Sequence, residues 1–176
     1  MSDATNTLLL RLASHVSLFA GMPRSLLERL LARSERVSRS ENQLFFDEGE
    51  EGESFYVLLK GSATVEKKSG PHWVPLATVA PGDTFGEMTL IDEKVRSARV
   101  RATSDSVCLY FAGARLKDAP ELLAGIYRNI ARLQTRRLKA VNMEVVSFKA
   151  REMGTGGSTV EVDPLDGDEG LQEWKA

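Results

Sequence analysis

Cysteine occurs once in the 176-residue chain, at Cys108, so no disulfide can form within it and a reducing, cytoplasmic setting is expected. That thiol sits in Ser-Val-Cys-Leu-Tyr-Phe, an alternating apolar pattern, and reads as a small buried hydrophobe and not as a nucleophile. Histidine occurs twice, at His15 and His72, too few and too far apart for the several imidazoles around the metal of a cupin-type enzyme. There is no Gly-x-Ser-x-Gly elbow, Cys-x-x-Cys pair or nucleophile paired with a base. The chain therefore reads as a non-enzyme, with no metal or cofactor expected. Long apolar runs are also missing. Leu8-Leu9-Leu10 is cut by Arg11, far short of the roughly 20 residues that cross a bilayer, so neither a membrane span nor a signal peptide is expected. With a formal charge of -2, the chain has no global attraction for nucleic acid or anionic lipid.

What is present is ordinary for a folded protein. Hydrophobic residues at 42% and charged residues at 27% argue against disorder or a fibrous repeat, and the length suits one domain with a tail. Leu8 to Phe19 has helix-compatible apolar spacing, and Ala20-Gly21-Met22-Pro23 interrupts it. Leu26, Leu27, Leu30 and Leu31 then mark a short amphipathic helix from Arg24 to about Ser34. From Arg36 to Phe111 the texture changes to short apolar or alternating runs. The predicted strands are Gln43–Phe46, Ser54–Lys60, Ser62–Lys67, Val74–Val79, Thr84–Phe85, Ser97–Ala102 and Ser106–Phe111. Between them lie turn residues such as Gly49, Gly52, Lys60-Gly61 and Pro81-Gly82-Asp83. That pattern points to a mainly β protein with flanking helices: a sandwich, barrel or jelly roll, which periodicity alone does not separate.

After Gly113 the strand texture stops, and a long helix is predicted from Pro120 to Arg151. Tyr127, Ile130, Gln134, Leu138, Val141, Val145 and Phe148 recur at three or four residues, an apolar stripe that must be covered. Part suits the sheet, and the remainder suits the same helix of a second chain, a homodimer. The basic residues Arg128, Arg132 and Arg136 read as a solvated face and not as a nucleic-acid groove. The domain is expected over 18–151, with a lead segment at 1–17 and an acidic, flexible tail at 152–176.

The chemistry concentrates at Thr84-Phe85-Gly86-Glu87-Met88-Thr89-Leu90-Ile91 and at Arg96-Ser97-Ala98. A strand meets a glycine and then a helical turn, whose free backbone N–H groups suit an anion. Arg96 supplies a guanidinium for a phosphate, and Ser97 adds a hydroxyl. Glu87 is an acceptor only, which makes sense beside a sugar hydroxyl.

These residues, with the glycine turns upstream, resemble the phosphate-binding cassette of the cyclic-nucleotide-binding domain family, found in catabolite activators, protein kinase A regulatory subunits and nucleotide-gated channels. The resemblance spans about Leu18 to Val145. It implies a jelly-roll-like β-roll with short N-terminal helices and a long C-terminal helix. It also implies a ligand, cyclic AMP or cyclic GMP, held by Gly86, Glu87, Met88, Arg96, Ser97 and Ala98. Val65, Leu76 and Ala77 would line the wall, and Asn142 would meet the purine. Ser97, where cyclic-GMP binders often carry threonine, favours cyclic AMP. Asp92 and Glu93, near the phosphate, would weaken binding. Arg96→Ala is expected to abolish binding and leave the fold intact, since its side chain is read as pairing with ligand and not with core.

The resulting expectation is a sensor or regulatory module without its own effector domain, relaying ligand binding through the long helix. Catabolite activators continue into a winged helix-turn-helix, which the short acidic tail cannot form, so DNA is not an expected partner. The alternative is a ligand-independent module whose roll and helix dock an unknown protein partner.

Overall fold

The computed structural model describes residues 12, 14–91 and 95–152. The chain divides into two units, residues 1–136 and 137–176. Of the helix expected from Leu8 to Phe19, Leu12, Ser14 and His15 are helical and Ser17–Phe19 form a 3-10 turn, while most of the lead segment 1–17 lies outside the described residues, as do Asp92, Glu93 and, from 153 onward, the acidic tail.

Eight strands are described: β1 (Glu35–Arg39), β2 (Leu44–Phe46), β3 (Ser54–Lys60), β4 (Ala63–Ser69), β5 (His72–Val79), β6 (Thr84–Phe85), β7 (Arg99–Ala102) and β8 (Ser106–Ala112). They form two four-stranded antiparallel sheets, ordered β1-β8-β3-β6 and β2-β7-β4-β5. Helix α1 (Arg24–Leu31) precedes the sheets and helix α2 (Pro120–Glu152) follows them. This is the β-roll with flanking helices expected from the sequence. Helix α2 is as long as predicted to within a residue, and among the described residues no helix is long and apolar enough to cross a membrane.

β3 explains why there are two cores. Its run Phe-Tyr-Val-Leu is apolar on both faces because both faces are covered. Phe55 and Val57 join Phe111, Leu18, Leu30, Leu122 and Ile126 in a core between sheet and helices. Tyr56 and Leu58 point the other way and join Phe46, Phe85, Val100 and Cys108 between the sheets. Phe45, Tyr56 and Phe85 pack as rings 5.0–5.5 Å apart there.

β1 was not expected, because only Val37 of its five residues is apolar and most of the strand is exposed. It forms as an edge strand on β8. The register of β4 against β5 shifts between Val65 and Glu66, so that Ala77 and Pro75 are paired and Leu76 is skipped. Leu76 is consequently 60% exposed.

In α2 the covered face shares Ile130 with the expected stripe but otherwise runs through Leu122 and Ile126. Leu122, Ile126 and Ile130 are fully buried, whereas Tyr127 is 40% exposed. The side-chain amide of Asn129, on the covered face, donates to the Leu18 and Ala20 carbonyls at 2.9 Å each and ties α2 to the N-terminal segment. In the second unit Leu138, Val141, Val145 and Phe148 are exposed.

Candidate functional site

Gly86 ends β6 in the left-handed region, with φ of 80°, and opens a 3-10 turn over Glu87–Leu90. Glycine is needed twice over here. A side chain would disfavour that φ, and a Cβ would come within 2.7 Å of Arg96 Nη1. On the opposite side the acid-rich loop is stitched to the same arginine. The Gly49 N–H donates to the Arg96 carbonyl and the Arg96 N–H to the Glu50 carbonyl, both at 2.9 Å, and Glu51 bridges to Val95. Gly52 leaves room for the guanidinium, since a Cβ there would meet Arg96 Nη2 at 3.0 Å.

Arg96 is 4% exposed and Glu87 is 1% exposed, a buried cation and a buried acid on adjoining segments. Arg96 Nη1 donates to the Ser54 carbonyl at 2.7 Å, the Gly86 carbonyl at 2.9 Å and the Thr89 hydroxyl at 3.2 Å. Nη2 donates to the Ser54 hydroxyl at 2.6 Å, and the Phe46 ring lies 4.0 Å from the guanidinium carbon. Nε has no hydrogen-bond partner among the described residues. Burial lowers the Arg96 pKa from its ordinary value, while Tyr56, Tyr110, Glu50 and Glu87 act in the opposite sense.

This corrects the reading of Arg96 as a side chain that pairs with ligand and not with core. A guanidinium taken out of water requires acceptors, and Ser54 and Gly86 supply them from β3 and the glycine turn. Arg96 holds the fold as well as facing the site.

An open cleft of about 290 Å³ is lined by Glu48, Gly49, Lys67, Met88, Val95, Arg96 and Ser97. Met88 forms an exposed lip, with its sulfur 3.9 Å from the Ser97 hydroxyl. Lys67 donates to the Ser97 carbonyl at 2.6 Å and pairs with Glu48 at 2.8 Å. The Lys67 hydrogen bond, then the Lys68 backbone N–H, lowers the Glu48 pKa from its ordinary value.

Of the residues singled out from the sequence, Gly86, Glu87, Met88, Arg96, Ser97 and Ala98 lie in this one segment pair. Val65 is half-buried on the neighbouring β4, opposite Val100. Ala77, its partner on β5, is exposed. Asn142 is exposed and belongs to the second unit, residues 137–176. His15 and His72 are exposed in separate elements.

Four participants were missed. Ser54 is the polar residue that opens the apolar run of β3, and Thr89 lies inside the recognised motif. Lys67 reaches Ser97 only because β4 carries it there. Gln134, whose Nε2 donates to Glu87 Oε1 at 3.3 Å, was counted as a member of an apolar stripe. A lone amide in that stripe was the available signal.

Residues 36–120 match the family model described as the cyclic nucleotide-binding domain. The cyclic AMP receptor protein of Thermus thermophilus is 28% identical over 129 residues, covering 73% of this chain and 60% of that protein. Human cGMP-dependent protein kinase 2 is 27% identical over 157 residues, covering 77% of this chain and 21% of the kinase. The chain thus spans less than two thirds of either relative. Among solved structures, the Thermus thermophilus catabolite activator protein superposes with a TM-score of 0.67 at 27% identity, over 76% of this chain and 63% of that one.

Proposed function

The chain belongs to the cyclic nucleotide-binding domain family, and from that premise we propose that it is a non-catalytic sensor that binds cyclic AMP in preference to cyclic GMP and passes occupancy to helix α2. The observation that carries this reading is the buried Glu87 and Arg96 joined through the Gly86 turn beside an open cleft. Arg96 supplies positive charge for the cyclic phosphate, and backbone N–H groups of the Gly86–Met88 turn, with Ser97 and Ala98, complete the cradle. Glu87 accepts from the ribose hydroxyl. Val65 and Ala77 form the wall beside it. Hydrogen bonds to charged groups, at about 1.5–3 kcal/mol each, support micromolar binding, about -8 kcal/mol, once ordering costs are deducted. The names of its relatives include both nucleotides, and Ser97, a hydroxyl without threonine's methyl, is what favours cyclic AMP.

A second reading, a protein-interaction module with a degenerate nucleotide site, is favoured by one observation: Arg96 Nη1 and Nη2 already donate to Ser54, Gly86 and Thr89. A thermal-shift titration with cyclic AMP, cyclic GMP and a cyclic dinucleotide separates the two. Ligand at about 100 times its dissociation constant adds about 2.7 kcal/mol, roughly 5–11 °C for a chain of this size. Glu87→Gln, which keeps the volume, and Arg96→Lys, which keeps the charge, should lose most of that shift. No shift with any nucleotide would favour the degenerate module.

The exposed Leu138, Val141, Val145 and Phe148, spaced by three and four residues, suit pairing with the same helix of a second copy. Light scattering should then give a dimer mass that Val141→Lys reduces to that of one chain. A monomeric wild type would remove the homodimer.

A further inference from the structure

Gln134, on α2, donates from its side-chain amide to the Glu87 carboxylate, and both residues belong to the unit that ends at Arg136. Glu87 is 1% exposed, so its carboxylate is oriented by the protein groups packed around it and not by bulk water. Gln134 is half-buried and approaches Glu87 Oε1 from the helix, at 3.3 Å, the long end of hydrogen-bond distances. A carboxylate has about four lone-pair positions, so this bond and a sugar hydroxyl fit on it together.

We propose that Gln134 is a positioning residue of the nucleotide site: from helix α2 it fixes the Glu87 carboxylate toward the ribose 2′-hydroxyl, making selection of a ribonucleotide depend on the docking of that helix. The inference rests on the reading of Glu87 as the sugar acceptor. Its physical content is a specific coupling. If the docked helix orients the acceptor and so raises nucleotide affinity, bound nucleotide favours the docked helix by the same factor. A site built around a hydroxyl also rejects an analogue that lacks one, because its buried acceptor is left without a donor. Gln134 therefore acts on the 2′-position and not on the phosphate, which Arg96 and the Gly86 turn address from the other side.

The test compares the full chain with Gln134→Met, which keeps length and volume and removes the donor. Calorimetric titrations are run with cyclic AMP and cyclic GMP, each beside its 2′-deoxy analogue. The variant should bind the better ribonucleotide about three- to tenfold more weakly, the range expected for one modest hydrogen bond. Its affinity for the matching 2′-deoxy compound should stay within about twofold. A merely structural role would weaken both compounds alike, and that outcome overturns the proposal. So does a variant that discriminates as the wild type does while Glu87→Gln abolishes discrimination, in which case the reading of Glu87 survives without Gln134. A wild type that binds none of the four compounds overturns the site reading and the Gln134 role together.

Discussion

Removing the Arg96 side chain should destabilise the protein before any nucleotide is added. Arg96→Ala deletes four hydrogen bonds, two to backbone carbonyls and two to the Ser54 and Thr89 hydroxyls, and the stacking on Phe46. It also removes a positive charge that interacts with Glu87, 1% exposed, across the site. Leaving a buried acceptor unsatisfied costs about 1–3 kcal/mol, and with the Ser54 and Gly86 carbonyls both orphaned the loss should be about 3–5 kcal/mol. Against a total stability of about 5–15 kcal/mol this is a large fraction. At about 2–4 °C per kcal/mol, the melting temperature should fall by roughly 6–20 °C. Urea unfolding followed by circular dichroism gives the change directly from the midpoint, provided that the slope is unchanged. Ser54→Ala, which removes only the Nη2 acceptor and leaves the carbonyl in place, should cost about 1–2 kcal/mol. An Arg96→Ala protein within about 1 kcal/mol of wild type would refute the reasoning and restore the simpler view of Arg96 as a ligand contact alone.

Three further outcomes follow from particular contacts. Gly86→Ala forces a side chain into φ of 80° and places Cβ 2.7 Å from Arg96 Nη1 and 3.1 Å from the Ser54 carbonyl, so urea melts should show a loss of about 2–4 kcal/mol; a loss under 1 would contradict the geometry. Glu66 accepts from Arg101 at 2.6 Å and from Arg99 at 2.5 Å, and these bonds, Arg101 first, lower its pKa from the ordinary 4.5. A lowered carboxylate stabilises the fold fully above pH 4.5 and loses that contribution as pH falls through its lowered value, so the deficit of Glu66→Gln, about 1–3 kcal/mol near neutrality, should shrink as the protein is acidified below pH 4.5. A deficit constant with pH would show that the charge is not what matters. Burial pushes the Cys108 thiol up to about 12, so a disulfide reagent at pH 8 should react only as fast as the chain opens, and rapid reaction of the native protein would place the thiol elsewhere.

The strands with strong patterns were legible: β3 and β8 carry dense apolar runs, and their predicted bounds lie within a residue of those observed. β1 was not legible, because an edge strand exposed along most of its length has little hydrophobic signal to read. The stripe expected on α2 was right at Ile130 but included the 40% exposed Tyr127 and left out Leu122 and Ile126, since a helix with apolar residues on adjacent faces does not declare which face meets the sheet. At the site, Gly86, Glu87 and Arg96 were legible as a local motif. Ser54 and Gln134 lie 42 and 47 residues along the chain from the groups they touch, and such partners are set by the fold and not by spacing.

The two cores differ in how much of the chain must exist before they can close. The core between the sheets draws on Phe45 through Cys108. The core between sheet and helices joins Leu18, Leu27 and Leu30 to Leu122, Ile126 and Ile130, and the Asn129 amide reaches the Leu18 carbonyl across 111 residues. During synthesis the first core is complete once Cys108 has left the ribosome, while the leucines of α1 wait uncovered for the helix that arrives last. The N-terminal segment, though made first, is thus among the last parts of the domain to settle, and the interval between is when the chain is most open to association with other hydrophobic surfaces.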